Sequence, residues 1–171
     1  MNARFDDLVV TKWGARFRGV NLHCAIGRGG IAIKQGEGDG ITPIGTFHLE
    51  GIKFRSDRLD FNARFVPQAS IGFGDIWSDD PKDPDYNHGL YAPDHPYSHE
   101  KQRRADPLYD AFGILDYNYP DAVAGKGSAI FMHVWRKPRH PTEGCIAFDR
   151  NDLIWIFENW KPWSRVIIRG Q

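Results

Sequence analysis

The sequence is short of cysteine, of long apolar runs and of net charge, and each shortage excludes a class of protein. Two cysteines in 171 residues permit at most one disulfide, which rules out a small fold held together by several. No stretch approaches the roughly 18 consecutive apolar residues of a membrane span. The opening Met-Asn-Ala-Arg-Phe-Asp-Asp-Leu-Val-Val holds two acids and no apolar export core, so the sequence as written reads as cytoplasmic. Lys plus Arg (22) balance Asp plus Glu (22), so nothing in the overall charge draws nucleic acid, and a charged ligand must be met by a local arrangement.

What is present points to a folded β-rich chain. A hydrophobic content of 41% with 13% aromatics is too high for disorder, and 18 Gly with 11 Pro supply many turns. The length suits one core that buries roughly 70% of the unfolded surface, so residues 1–171 read as a single domain, taken as a monomer, without repeats or linkers.

Residues 16–26 read as one strand, with Leu22, Cys24 and Ile26 facing inward, so Cys24 is assigned to packing. The Gly27-Arg28-Gly29-Gly30 turn leads to a short strand at Ile31–Lys34, and Thr42-Pro43-Ile44-Gly45-Thr46-Phe47 turns into another strand. Residues 66–107, dense in Pro, Asp, Tyr and His, read as a long irregular lid or substrate loop. Ser128 to Trp135 alternates with apolar residues on both faces, which predicts a central strand. Asp149 is a good N-cap for a helix to Trp160, and Arg165–Arg169 closes the fold as a strand. The class expected is α+β and β-rich: a curved mixed sheet or sandwich with one main C-terminal helix.

The chemistry gathers in the last third. His133 lies on the central strand, twelve residues before Cys145, and two prolines and a glycine turn the chain back between them. A thiol needs deprotonation to attack, and a neighbouring imidazole provides it and holds the resulting ion pair. Gly144 permits a tight bend that would aim its own amide and that of Cys145 at an oxyanion, with Thr142 bracing the turn.

Gly40-Ile41-Thr42-Pro43-Ile44-Gly45-Thr46-Phe47, then His133, then Thr142-Glu143-Gly144-Cys145-Ile146 resembles the YkuD-type L,D-transpeptidase pattern from about Gly27 to the terminal strand. The resemblance implies Cys145 as nucleophile, His133 as general base and acid, and the Val134 carbonyl as the group that orients the imidazole. It implies peptidoglycan stem peptides or muropeptides as substrates, with amine acceptors for transpeptidation or water for L,D-carboxypeptidase activity. It needs no cofactor or metal, and it offers the periplasm or cell envelope as an alternative location. Departures are visible: Glu143 stands where the family has histidine, Ala147 where it often has arginine, and Val134 where Gly or Ser is typical. Arg28, Arg55, Arg136 and Arg139 are candidates to replace the missing cation. Trp77, Tyr86, Asn87, His99 and Glu100 are expected as cleft walls and hydrogen-bonding groups.

Three rival readings follow from other residues. His95, His99 and Glu100 suggest a zinc peptidase, although their order is not the His-Glu-x-x-His arrangement. Trp155, Trp160 and Trp163 suggest a carbohydrate-binding module, although helical spacing gives them to the core. A buried Cys145 would leave a noncatalytic peptidoglycan-binding domain.

Overall fold

The computed structural model describes residues 2–170. Its first half contains β1 (Leu8–Thr11), β2 (Gly14–Phe17), β3 (Val20–Leu22), β4 (Cys24–Ala25), β5 (Ile31–Ala32), β6 (Thr42–Pro43), β7 (Gly45–Phe47) and β8 (Leu49–Phe54). The second half contains β9 (Gln68–Ser70), β10 (Asp75–Ser78), β11 (Gly89–Tyr91), β12 (His99–Lys101), β13 (Ala111–Leu115), β14 (Phe131–Val134), β15 (Ile146–Phe148), α1 (Arg150–Glu158) and β16 (Val166–Ile168).

Two mixed sheets carry the architecture. One has the order β3-β2-β1-β16-β7, with β1 and β16 parallel at its centre. The other runs β4-β15-β14-β13-β8-β9, with β14 parallel to β15 and β8 parallel to β9. Leu8, Val10 and Phe17 from the first sheet, Ile52, Met132 and Phe148 from the second, and Leu153, Ile156 and Phe157 from α1 share one core. Each such side chain, fully buried, contributes about 1.5–3 kcal/mol. The chain is therefore β-rich α+β with one helix, as its patterning predicts.

α1 starts where its cap dictates, since the Asp149 side chain accepts the Asn151 N–H at 2.9 Å. It stops two residues short of the expected Trp160, because Asn159 turns back and its Nδ2 donates to the Trp155 carbonyl at 2.9 Å. Trp160 then stacks on Phe17 with ring centroids 5.7 Å apart, and Trp155 meets the same ring edge-on at 5.5 Å. These two tryptophans are packing residues. Trp163 is exposed and donates to Asp6 at 3.1 Å.

Two expectations are corrected. Residues 16–26 are not one strand: Arg18 (φ 47) and Gly19 (φ 81) turn the chain between β2 and β3, which pair as a hairpin through Phe17 and Val20. Arg18 is held in the turn by Asp6 at 3.3 Å and Asn159 at 3.2 Å. Nor is 66–107 irregular, because β9 joins the edge of the second sheet and β11-β10-β12 form a small antiparallel sheet. Its strands, of three or four residues, are too short for a two-residue alternation to stand out.

The insert has a packing partner. Ile71, Trp77, Tyr109, Phe112, Ala129 and Phe131 form a second cluster, so both faces of β13 and β14 are covered. Successive side chains of a strand point to opposite faces. Met132 and Val134 enter the main core, whereas Tyr109 packs against both Phe131 and His133, at 6.0 and 5.6 Å between ring centroids.

Candidate active site

The register of β14 and β15 sets the site. Met132 pairs with Ile146 and His133 with Ala147, so Cys145, two residues before Ala147, projects to the same face as His133. Cys145 is half-buried against the second cluster, while His133 is 5% exposed. Both line a cavity of about 270 Å³ that also takes in Glu100, Arg104, Tyr109, Arg136, His140 and Thr142. A second cavity of about 240 Å³ shares Cys145, Glu100 and Glu143 with the first and adds Lys34, Glu37 and Asp79. The thiol sits where the two meet.

Burial disfavours the charged form of each partner of this pair. Burial pushes the Cys145 thiol up to about 12, reinforced by the Glu100 charge and opposed by the Phe131 N–H and Lys34. Burial also takes His133 down to about 4 against its hydrogen bond with Val134. Desolvation penalises both charges of the expected thiolate–imidazolium pair and favours a thiol beside a neutral imidazole. The sulfur donates to the Ala129 carbonyl at 3.0 Å and accepts the Phe131 N–H at 3.4 Å. His133 Nδ1 lies 2.8 Å from the Val134 carbonyl. A carbonyl only accepts, so Nδ1 carries the hydrogen and Nε2 keeps its lone pair.

Hydroxyls fix the turn at Cys145. Thr142 Oγ1 donates to the Cys145 carbonyl at 2.6 Å and accepts the Gly144 N–H at 3.2 Å. The fully buried Thr42 donates to the Gly144 carbonyl at 2.8 Å and accepts the Gly27 N–H at 2.8 Å. The threonine of the Thr-Pro turn is thus a brace for the cysteine loop. The Gly144 N–H, expected to help hold an oxyanion, is turned to Thr142 Oγ1 at 3.2 Å. The Cys145 N–H makes no hydrogen bond among the described residues and is free to meet an oxyanion.

Gly27 packs against the same turn: a Cβ there would lie 2.1 Å from the Gly40 carbonyl oxygen and 3.0 Å from the Gly144 Cα. Both neighbours are backbone, so the clash cannot be relieved by a rotamer. Gly27→Ala is expected to destabilise the protein by about 3 kcal/mol, read as a lowered urea midpoint.

The remaining expected residues divide by position. Glu100, Arg136 and Thr142 line the Cys145–His133 cavity. Arg28 lines neither cavity, because its guanidinium is drawn to Glu143, with Nε at 2.8 Å and Nη2 at 2.6 Å. His99 lines neither, and its Nδ1 is turned to the Tyr97 carbonyl at 2.7 Å. Arg55 is buried and held by Asp57 and the Arg104 carbonyl. Three residues are corrected from cleft walls to framework. Trp77 is 2% exposed in the second cluster, and Tyr86 is buried with its hydroxyl donating to Glu37. Asn87, also buried, accepts from Trp77 Nε1 at 3.0 Å and from the Ala129 N–H at 2.9 Å.

Asn87 thereby holds the residue whose carbonyl receives the Cys145 S–H. Asn87→Ala would strand two buried donors, so a loss of about 2–4 kcal/mol is expected, with a reduced kcat at temperatures where the variant remains folded. Denaturant titration and kinetics on one preparation check both.

Arg104, Tyr109, His140 and Lys34 belong to the site and escape the sequence reading. Tyr109 donates its hydroxyl to Glu100, whose carboxyl is pushed up by burial. Arg104 grips Asp106 through Nε at 2.8 Å and Nη2 at 2.6 Å. Lys34 pairs with Asp39 at 2.6 Å. No motif marks them, because only the return of the insert and of the Gly-rich turn brings them to Cys145. Among the described residues no group of three or more His, Cys, Asp or Glu converges as metal ligands, and His95 Nε2 is engaged by Asp83 at 2.6 Å.

Compared with known families, residues 6–168 match the model described as YkuD, L,D-transpeptidase catalytic domain. Comparisons with curated proteins and with solved structures give no match. No helix among the described residues is long and apolar enough to cross a membrane.

Proposed function

The chain belongs to the YkuD family of L,D-transpeptidase catalytic domains, and from that premise we propose that Cys145 transfers an acyl group of a peptidoglycan stem peptide through a thioester. The observation that carries the reading is that Cys145 and His133 line one cavity from one face of the sheet, with Nδ1 of the imidazole tied to the Val134 carbonyl.

The thiol rotates from the Ala129 carbonyl and gives its proton to His133 Nε2 as sulfur attacks the carbonyl of an L-centre to D-centre bond. The developing oxyanion meets the Cys145 N–H. The imidazolium then protonates the departing D-residue amine, leaving a thioester on Cys145. An acceptor amine, deprotonated by the same Nε2, attacks that thioester and restores the thiol. Arg136, without an ion pair among the described residues, stands in the cavity where a carboxylate of the donor needs a cation, in place of the arginine missing at Ala147. The meeting of two cavities at the sulfur favours an acceptor peptide over water alone.

The test is intact-protein mass spectrometry with stem peptides of graded length. Wild type is expected to gain the mass of the acyl fragment on Cys145 and, with an amine acceptor, to release a cross-linked product. Hydrolysed product in the presence of acceptor assigns L,D-carboxypeptidase activity instead. Binding without adduct or product would leave only a peptidoglycan-binding domain.

A further inference from the structure

A second feature lies next to the catalytic cleft and is not used by the chemistry above. Lys12 and Trp13 form the tip between β1 and β2, and Trp13 is 74% exposed. Lys12 Nζ sits 4.6 Å from the centroid of the indole. Two cavities of about 430 and 410 Å³ flank this ring, both lined by Thr11, Trp13 and Arg169. The larger adds Arg16, His23 and Arg139, and neither is lined by any Asp or Glu.

The equal numbers of acids and bases in the chain do not neutralise this patch, because no acid stands in either lining. Arg18, Arg28, Arg55, Arg58, Arg103, Arg104, Arg150 and Arg165 each pair with a carboxylate. Lys12, Arg16, Arg139 and Arg169 make no ion pair among the described residues. Exposed cations gathered without counter-charge raise the local potential and draw an anion. Guanidinium forks bind carboxylate or phosphate oxygens in pairs, and an uncovered indole offers a flat apolar face with a polar edge. A single ring among cations does not match single-stranded nucleic acid, which is held by several aromatics on which successive bases stack. It matches an anionic saccharide, with one sugar ring on the indole and acidic groups beside it.

The groove is joined to the catalytic cleft through one loop. Arg139 Nη2 donates to the Trp13 carbonyl at 3.3 Å, while Arg136, His140 and Thr142 of the same loop line the Cys145 cavity. We propose that Trp13, Arg16, Arg139 and Arg169 form a saccharide-binding site that holds the glycan to which the reacting stem peptide is attached, with free carboxylates carried along that polymer on the arginines. The site rests on the acyl-transfer reading for its choice of ligand. It makes this protein an enzyme for stem peptides still on their glycan rather than for free peptides.

Calorimetric binding in a Cys145→Ala background, which removes turnover from the readout, tests the site. Solubilised glycan strands bearing stem peptides are expected to bind about tenfold more tightly than the same peptides freed from sugar. Trp13→Ala combined with Arg169→Ala should abolish that difference and leave free-peptide affinity unchanged, and Trp13→Phe should retain most of it. Both residues are exposed, so unchanged thermal melting is expected for each variant. A polyuronic acid without peptides that binds as tightly as the strands keeps the site as one for anionic saccharides and moves its source to a separate polymer. Equal affinity for glycan-linked and free peptides overturns the proposal, as does an unaffected double variant or a single-stranded DNA that competes equally well. None of these readouts requires turnover, so failure of the acyl-transfer reading shows separately, as absent adduct in wild type.

Discussion

Cys145→Ala is expected to lower turnover of stem peptides by about 10⁴-fold or more, a scale set by removal of a covalent nucleophile, and to abolish the acyl adduct. The size follows from what is left behind. The Cys145 N–H, the cavity arginines and His133 all remain, so substrate still binds, but no atom is positioned to form the thioester. Cys145→Ser is expected to fall nearly as far. A thiol held up at about 12 is already roughly 10⁻⁵ ionised at pH 7, and a hydroxyl is harder still to deprotonate in the same dry pocket. The proposed attack therefore needs no standing thiolate: proton transfer to Nε2 accompanies formation of the carbon–sulfur bond. Steady-state kinetics with mass-spectrometric product detection decides the matter. Retained turnover in Cys145→Ala would remove the cysteine from the mechanism, and loss of activity to a chelator would give it to a metal.

How much of this was legible beforehand depends on how local each determinant is. α1 was legible because its cap and its apolar spacing lie within a dozen residues, and Asp149 caps it as expected. The meeting of His133 and Cys145 was legible because two prolines and a glycine turn the chain back between them, whereas the face they share is set by the register of β14 against β15. The Val134 carbonyl partner came from family resemblance, and the hydrogen bond to His133 is present. Burial was not legible. Trp77, Tyr86 and Asn87 look like binding residues in a polar loop, yet the insert forms its own sheet and they hold it to β14. Arg104 and Tyr109 look like spacer and core, yet they line the cavity, because the insert's return is set by contacts far apart in sequence. Gly144 illustrates the limit at a single atom. Its flexibility was correctly read, with φ at +143, but the pattern gave no sign that its N–H turns to Thr142 Oγ1.

His133→Gln is expected to lower kcat by about 10²–10⁴-fold, the range for a lost general base, with a smaller change in KM, since Arg104 and Arg136 are untouched. The same substitution changes how stability responds to acid. In the folded protein His133 is depressed from its ordinary 6.5 to about 4, so between those values the unfolded chain binds a proton that the folded chain refuses. Stability therefore rises with pH across this window: the contribution is complete above about 6.5 and is lost progressively as pH falls toward 4, amounting to about 3 kcal/mol. Glu100, pushed up by burial, works in the opposite sense, gaining stability as its carboxyl takes a proton, so the wild-type slope alone is ambiguous. The difference between wild type and His133→Gln isolates the imidazole, because Glu100 is common to both. Urea titrations at pH 7 and pH 4.5 are expected to show wild type losing more stability than the variant on acidification. Parallel losses in the two proteins would mean that the imidazole does not stay neutral in its pocket, and Nε2 would then have no free lone pair with which to take the thiol proton.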